Sequence, residues 1–414
     1  MANQTSLRRG HTLTRPTSAQ IDLDALRQNY QCAKRMHGKQ TLAVMKANAY
    51  GHGAVPCAQA IQNIADGYAV AFMDEAIELR DHGIHKPIVV LEGVFDEQEM
   101  KEVSSCQLSV VVHHAEQIKL LSQLQHGQSK ISKDHRIDVW LKVDTGMHRL
   151  GFHPNDILET YRQLRSNPLV GDITLMTHFS RADETDISFT QEQIRCFDLA
   201  TQDIAAPSSL CNSAGLSVWP EARKDLGRAG LIIYGVDPGN RLRSSDGINS
   251  AATPHSTLPR NDNRPVSPSL LPVMTLKSQV IAVRSLSAGE SIGYGASFVT
   301  QRPTRVGVVA IGYGDGYPRH APSGTPVLVD KQPTQLIGRV CMDMLMVDLT
   351  DLPDTGCGSE VELWGNRLDV NLIAKYAGTV SYALLTGVMR VNRIYSDSTR
   401  VKPAPHKSEL SLAT

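Results

Sequence analysis

Short apolar segments recur along the first 235 residues and alternate with stretches of helical periodicity. The segments are rich in Val, Ile and Leu on both faces, which is typical of strands buried on both sides in a parallel sheet. They are TLAVMK (41–46), YAVAF (68–72), PIVVLEG (87–93), LSVVV (108–112), IDVWLKV (137–143), DITLMTHF (172–179), SSLCNS (208–213) and LIIYG (231–235). Eight strands with intervening helices predict an α/β fold, a (β/α)8 barrel of the TIM type. A doubly wound open sheet is the structural alternative.

The intervening stretches contain recognisable helix signals. Apolar residues recur at helical spacing within residues 24–36 and 191–204. Asp74 and Asp96 each stand where an N-cap is expected, because a carboxylate there can accept from the first free backbone N–H groups of a helix. Helices are therefore predicted between the strands, as a barrel requires.

The pattern changes after residue 236. Residues 237–272 are rich in Pro, Ser, Asn and Arg and have almost no apolar periodicity, so we expect a surface loop or linker. From Val273 short apolar runs alternate with Gly and Pro turns, which is typical of a mostly β domain. It has one predicted helix (370–388), entered after Asp369, and a last strand, VNRIY (391–395). The predicted organisation is a tail (1–15), the barrel domain (16–236), the linker (237–272), the β domain (273–402) and a second tail (403–414).

Composition narrows the classes of function. Lys+Arg and Asp+Glu each number 42, so the formal net charge is zero and no overall field favours nucleic acid or an anionic membrane. No apolar run approaches the ~20 residues of a membrane helix, and the first twenty residues lack the apolar core of a secretory signal. The seven cysteines contain no C-x-x-C pair. We therefore expect a cytoplasmic protein with reduced thiols and no metal site.

Polar residues stand at the ends of several predicted strands. Lys46 ends the first, His178 the sixth and Ser213 the seventh, while Arg228 and Gly230 precede the eighth. Barrel active sites lie where strands end, and phosphate commonly binds around strands seven and eight. A lysine desolvated in such a pocket is suited to forming a Schiff base. Each of these residues alone is more often structural, so the hypothesis depends on their convergence at one barrel face.

Eight segments extend this set in a fixed order. They are AVMKANAYGHG, LKVDTGMHRLGF, THFS, CNSAG, GRAGLIIYG, GYGAS, AIGYGDGYPR and GRVCMDM. In this order they resemble the alanine racemase family, over about residues 16–395. The resemblance implies a barrel that binds pyridoxal 5′-phosphate (PLP), a following β domain and a homodimer with shared active sites. It implies interconversion of L- and D-alanine, for peptidoglycan supply or for catabolism.

The resemblance also implies a role for each matching position. Lys46 would carry PLP as a Schiff base and serve as the base for D-alanine, and the partner subunit's Tyr294 would be the base for L-alanine. Residues implied to hold the cofactor are Lys46, Tyr50, Arg149, His178, Ser213, Arg228, Gly230, Leu231 and Tyr382. Residues implied to bind substrate or line its entrance are Arg149, Tyr313, Cys341, Met342 and Asp343.

Two cations in this set lead to further hypotheses. The family places Arg228 against the pyridine nitrogen, where an arginine donates a hydrogen bond but gives up no proton. The ring would then be a weaker electron sink, which would limit transamination.

Lys142 precedes Arg149 by seven residues. Since two adjacent cations repel, and since some family members carry a carbamylated lysine at this position, we expect Lys142 to be carbamylated.

Three alternative functions are weighed against racemisation of alanine. A fold type III amino-acid decarboxylase is disfavoured because its glycine-rich phosphate segment is absent. A non-catalytic PLP-binding protein is disfavoured because such proteins resemble the barrel half alone. A broader amino-acid racemase is disfavoured because such enzymes are often exported. The breadth of the side-chain pocket stays open.

Overall fold

The computed structural model describes residues 15–126, 136–184, 186–238 and 270–399. The predicted tails, except Arg15, and most of the predicted linker at 237–272 lie outside the described residues. Among the described residues, no helix has the length and apolar character needed to cross a membrane.

The N-terminal half contains eight parallel strands in one sheet. Strand β1 (Ser18–Asp22) is part of a different sheet, described below. The barrel strands are β2 (Gln40–Val44), β3 (Gly67–Val70), β4 (Ile88–Val90), β5 (Ser109–Val112), β6 (Ile137–Lys142), β7 (Val170–Met176), β8 (Ser208–Ser209) and β9 (Leu226–Ala229). The hydrogen-bonded order is β8-β7-β6-β5-β4-β3-β2-β9. The two ends of this order meet, because Asp225 N donates to Ser208 O and Arg228 N donates to Cys211 O, both at 3.0 Å. The predicted barrel is confirmed.

Helices follow the strands around this half of the chain. They are α1 (Leu23–His37), α2 (Lys46–Tyr50), α3 (Ala54–Ile61), α4 (Met73–Asp81), α5 (Glu97–Ser105), α6 (Ala115–His126), α7 (Ile157–Ser166), α8 (Ser188–Thr201) and α9 (Ser213–Val218). The predicted cap at Asp96 is confirmed, since its carboxylate accepts from Glu99 N at 2.8 Å. The cap predicted at Asp74 is wrong: Asp74 lies in the first turn of α4, which begins after Phe72.

The eighth strand was predicted at the wrong segment. Residues Leu231–Tyr234 form a 3-10 helix that packs against α1, and the strand is β9, just before it. The Tyr234 hydroxyl donates to Val44 O at 2.7 Å, and the whole LIIY run is buried. Its apolar character therefore reflects burial and not strand pairing, two conditions that an apolar run does not distinguish. Arg228 consequently lies within the strand instead of before it.

The second domain is mostly β, as predicted. Its strands are β10 (Met274–Leu286), β11 (Ser291–Ile292), β12 (Phe298–Val299), β13 (Thr304–Val309), β14 (Pro326–Val329), β15 (Gln332–Gln335), β16 (Leu345–Asp348), β17 (Glu360–Trp364) and β18 (Asn392–Ser396). The long strand β10 pairs antiparallel with β1, β13 and β17, and β1 pairs in parallel with β18. The first strand of the chain thus completes the sheet of the last domain.

The helix predicted at 370–388 is divided in two. Helix α10 (Val370–Tyr376) is capped by Asp369, as predicted, and α11 (Ser381–Thr386) follows a turn in which Gly378 has a φ of +62°. This positive φ ends α10, because a left-handed residue cannot continue a right-handed helix. Helix α11 is thereby redirected and packs against α2 of the barrel.

Candidate active site

A cavity of about 340 Å³ opens where the barrel strands end. It brings together nine of the residues predicted from the sequence: Lys46, Tyr50, Lys142, Arg149, His178, Ser213, Arg228, Gly230 and Tyr382. Four of them are lysines or arginines, and Glu92 is the one carboxylate among the described residues that line the cavity. The cavity therefore suits a small ligand that carries negative charge.

Lys46 owes its position to an unusual backbone. Strand β2 ends at Val44, two residues earlier than the pattern indicated, and Lys46 begins α2. The next four residues, 47–50, all have φ between 51° and 53°. This is a left-handed turn without glycine, a conformation that costs roughly 1–2 kcal/mol for each residue with a Cβ atom. Such strain is commonly found at functional sites.

Hydroxyl groups and backbone N–H groups meet at one end of the cavity. Ser213 begins α9, and its Oγ accepts from Gly230 N at 2.9 Å. A Cβ atom on Gly230 would lie 2.7 Å from the Tyr50 hydroxyl oxygen, so a larger residue there would fill the space between them. The Tyr382 ring, from α11, lies 5.7 Å from the Tyr50 ring. Leu231 is buried and directly follows Gly230. Such donors are the groups that bind phosphate.

Arg228 is almost completely buried, at 3% exposure, and its terminal nitrogens are held by the barrel wall. Nη1 donates to Ser209 O at 2.8 Å and to Ser209 Oγ at 2.7 Å, and Nη2 donates to Thr177 O at 2.7 Å. The Nε atom makes no hydrogen bond to any described residue. Burial lowers the pKa of Arg228 to about 10, which leaves the side chain cationic at neutral pH. Arg228 can thus offer a donor to the cavity without giving up a proton.

His178 lies beside this arginine. Burial, and then the positive charges of Arg228, Lys142 and Arg149, keep the pKa of His178 well below its ordinary value. The imidazole is therefore neutral at physiological pH and presents an uncharged aromatic ring to the cavity. A flat aromatic ligand could lie against it without the repulsion that a second cation would bring.

Lys142 and Arg149 line the same cavity, as the sequence predicted. Lys142 ends β6 and is 6% exposed. The chain then turns back on itself, since Phe152 N donates to Lys142 O and Asp144 N donates to Phe152 O, both at 2.9 Å. Burial, then the charges of Arg149 and Arg228, lower the pKa of the Lys142 amine to about 8. Most of this amine is thus still charged at neutral pH, but its uncharged fraction is far larger than that of an ordinary lysine.

Apart from Tyr382, the predicted residues of the β domain do not line this cavity. Tyr294 is 67% exposed and belongs to a separate groove that also includes Cys341. Tyr313 and Met342 are both exposed. They lie near each other because Tyr313 N donates to the O of Cys341, the residue before Met342, at 3.0 Å. Asp343 is held by Arg390, whose Nη2 donates to it at 2.6 Å. These residues form a second, outward-facing group on the same chain.

Some residues of the site were not found from the sequence. Glu92 is the second residue after β4, so the rule that polar residues end barrel strands could have identified it. Glu75 could not be found this way: it lies in α4, 28 residues beyond Ala47, whose backbone N–H donates to it at 2.6 Å. Asn212 and Thr386 also line the cavity. No periodicity relates such positions, and only folding brings them together.

The described residues fit PLP. Lys46 supplies the amine that its aldehyde needs, and Tyr50, Ser213 and Gly230 surround a space for its phosphate. Arg149, Arg228 and Lys142 offset the negative charge of such a ligand, and the neutral ring of His178 suits its aromatic plane.

Comparison with known proteins supports this interpretation. The chain matches the sequence profiles of the alanine racemase N-terminal domain over residues 21–238 and of the alanine racemase C-terminal domain over residues 273–395. It is 51% identical to an alanine racemase of Azoarcus sp. (strain BH72), over 91% of this chain and 98% of that protein.

Comparison with solved structures points to the same family. The biosynthetic alanine racemase of Pseudomonas aeruginosa is 41% identical, covers 93% of this chain and 100% of its own, and superimposes with a TM-score of 0.82. The alanine racemase of Bartonella henselae, solved with covalently bound pyridoxal phosphate, is 26% identical with a TM-score of 0.79, over 92% of this chain and 99% of that one. The chain therefore belongs to the alanine racemase family.

Proposed function

We propose that this protein interconverts L- and D-alanine with two bases, Lys46 of one subunit and the partner subunit's Tyr294. The observation that carries the proposal is the division of the predicted residues into two groups on one chain. Lys46 lines a cationic cavity, whereas Tyr294 is 67% exposed and absent from that cavity. A homodimer that brings the β domain of one subunit to the barrel of the other would complete two sites.

Most of the residues predicted from the sequence have a task in this proposal. PLP, when bound, delocalises the negative charge that proton removal leaves on the substrate. Lys46 would hold the cofactor and move a proton on one face of the substrate α-carbon, and the partner subunit's Tyr294 would do so on the other. Arg149 would bind the substrate carboxylate. Tyr50, Ser213, Gly230, Leu231 and Tyr382 would hold the phosphate, His178 would face the ring, and Arg228 would donate to the pyridine nitrogen.

The β-domain surface would form the substrate entrance of the partner subunit. Tyr313, Cys341, Met342 and Asp343 lie on two loops joined by backbone hydrogen bonds, which supports a common role. Two of these bonds are donated by Tyr313 N and Gly314 N, to Cys341 O and Met342 O. All seven cysteines are unpaired, which agrees with a reducing compartment such as the cytoplasm.

An isotope experiment tests the two-base proposal. In D2O, D-alanine formed from L-alanine should carry deuterium at the α-carbon from the first turnovers, because the base that returns the proton is not the one that removed it. The remaining L-alanine should keep its hydrogen at early times. Mass spectrometry of the separated enantiomers measures both. A product that retains the original hydrogen would indicate one base, and carbon dioxide release without racemisation would indicate a decarboxylase.

Carbamylation of Lys142 has its own test. Carbamate formation needs an uncharged amine, and a lysine with its pKa at about 8 reaches that state well below the ordinary value of 10.5. At constant dissolved carbon dioxide, occupancy should therefore rise as the pH increases from about 7 to 9, across the lowered pKa. Carbon-13 NMR of enzyme equilibrated with labelled carbon dioxide should show one carbamate signal. The Lys142→Arg variant should lack it, and an equal signal in both proteins would contradict the assignment.

A further inference from the structure

The left-handed turn at residues 47–50 is connected at both ends to neighbouring parts of the barrel. We infer that Glu75 and His52 are positioning residues that hold this turn, and with it Lys46 and Tyr50, in the geometry that binds the cofactor phosphate. The inference rests on the proposed roles of Lys46 and Tyr50. Neither Glu75 nor His52 lines a part of the cavity that would touch substrate.

The turn needs support from outside itself. Its residues are Ala47, Asn48, Ala49 and Tyr50, and of these only asparagine enters the left-handed region with any frequency. Left to local preference, the two alanines and the tyrosine would adopt right-handed or extended conformations. Contacts with the rest of the protein must therefore maintain four successive positive φ angles.

Glu75 holds the beginning of the turn. Its Oε1 accepts from Ala47 N at 2.6 Å, and its Oε2 accepts from Ala71 N at 2.7 Å and from Phe72 N at 3.3 Å. Ala71 directly follows β3, the strand that pairs with β2. One carboxylate therefore joins the first N–H of the turn to the end of the adjacent barrel strand.

His52 holds the end of the turn. It is completely buried, and its Nδ1 lies 2.9 Å from Ala49 O and 3.0 Å from Tyr50 O. Because both neighbours are carbonyl oxygens, Nδ1 must carry the hydrogen and donate it. The imidazole also stacks on the Tyr234 ring at 4.6 Å, and the Tyr234 hydroxyl donates to the last residue of β2, Val44. The end of the turn is thus fixed to the strand from which the turn begins.

The two contacts have one shared consequence. With both ends held, the Tyr50 ring packs 5.0 Å from Tyr234 and its hydroxyl lies beside Gly230, where the phosphate would bind. Release of either end would let the backbone leave the left-handed region and would move the Tyr50 hydroxyl. The loss should therefore fall on the phosphate of the cofactor more than on its ring.

The experiment compares PLP with pyridoxal, which lacks the phosphate. Apoenzyme of the wild type and of the Glu75→Gln, His52→Leu and His52→Asn variants is titrated with each compound, and melting temperatures are recorded. Glutamine keeps the shape of Glu75 but replaces one accepting oxygen by a donor, so one end of its bridge is lost. Asparagine can place an N–H near the position of Nδ1, whereas leucine cannot. Glu78→Gln is the matched control, because Glu78 is exposed on the same helix.

We expect Glu75→Gln and His52→Leu to lower the preference for PLP over pyridoxal by about tenfold, because Glu75→Gln loses a hydrogen bond to a carboxylate and His52→Leu loses the donor to two backbone carbonyls. His52→Asn should recover most of this preference, Glu78→Gln should leave it unchanged, and kcat should fall more than the KM for alanine rises. Equal weakening of PLP and pyridoxal, or a lower melting temperature at unchanged preference, would overturn the inference and leave a purely structural role.

A separate measurement distinguishes failure of the inference from failure of the proposed function. If Lys46→Ala binds PLP as tightly as the wild type and still racemises alanine, both are wrong. If Lys46 proves essential while the Glu75 and His52 variants keep the wild-type preference, only the inference is wrong. Glu75→Gln changes a partly exposed side chain, so the test stands even if His52→Leu fails to fold.

Discussion

Replacing Lys46 by alanine should lower kcat for racemisation by about 10⁴-fold, the largest effect of any single substitution in this protein. The change removes the amine that would attach the cofactor and, at the same time, the base on one face of the substrate. No other lysine is placed to substitute, since Lys142 is the one further lysine among the described residues that line the cavity and it ends a different strand. Initial rates from L- and from D-alanine, followed by circular dichroism, measure the loss in both directions.

A neighbouring lysine provides the control. Lys39 directly precedes β2, is more than half exposed, and pairs with the partly exposed Asp225 at 3.0 Å. Because exposed ion pairs contribute little, Lys39→Ala should keep its rate within about twofold of the wild type. A Lys46→Ala enzyme that retains a tenth of the wild-type rate would exclude Lys46 as both cofactor attachment and base.

Replacing Tyr294 by phenylalanine should lower the rate by about 10³-fold, the contribution expected of one general base. The substitution removes a single oxygen from a side chain that is 67% exposed, so the fold should be unaffected. Because a racemase must use both bases in either direction, the loss should be similar for L- and D-alanine. A rate within a few-fold of the wild type would show that another group acts on this face.

Mixing the two inactive variants tests whether the sites are shared. A heterodimer of Lys46→Ala and Tyr294→Phe chains has one site with both changes and one site with neither, if each site takes its tyrosine from the other chain. After dissociation and random reassociation, about a quarter of the wild-type activity should return, since half of the dimers would have one of two sites intact. Absence of any recovery, with mixed dimers demonstrated by two affinity tags, would mean that both bases come from the same chain.

Much of the barrel could be predicted because burial of a strand on both faces gives a continuous run of apolar residues in the sequence. Seven of the eight predicted strands overlap observed strands, since a strand covered on both faces must be apolar at nearly every position. The same logic identified Lys46, His178 and Ser213, because polar residues that end such runs meet at one edge of the sheet. The eighth strand could not be found this way. Leu231–Tyr234 is as apolar as any strand, yet it forms a 3-10 helix.

Local pattern along the chain thus determined the barrel, the β domain and the order of the residues around the cavity. Tertiary structure alone decided which distant parts of the chain support them. Strand β1 pairs with β18 from the other end of the protein, and α11 brings Tyr382 to the barrel. Glu75 and His52 stabilise a turn that Ala47, Ala49 and Tyr50 would not adopt by themselves. The physical reason is that periodicity records how deeply a residue is buried, whereas pairing partners and positive φ angles depend on contacts between segments that are far apart in sequence.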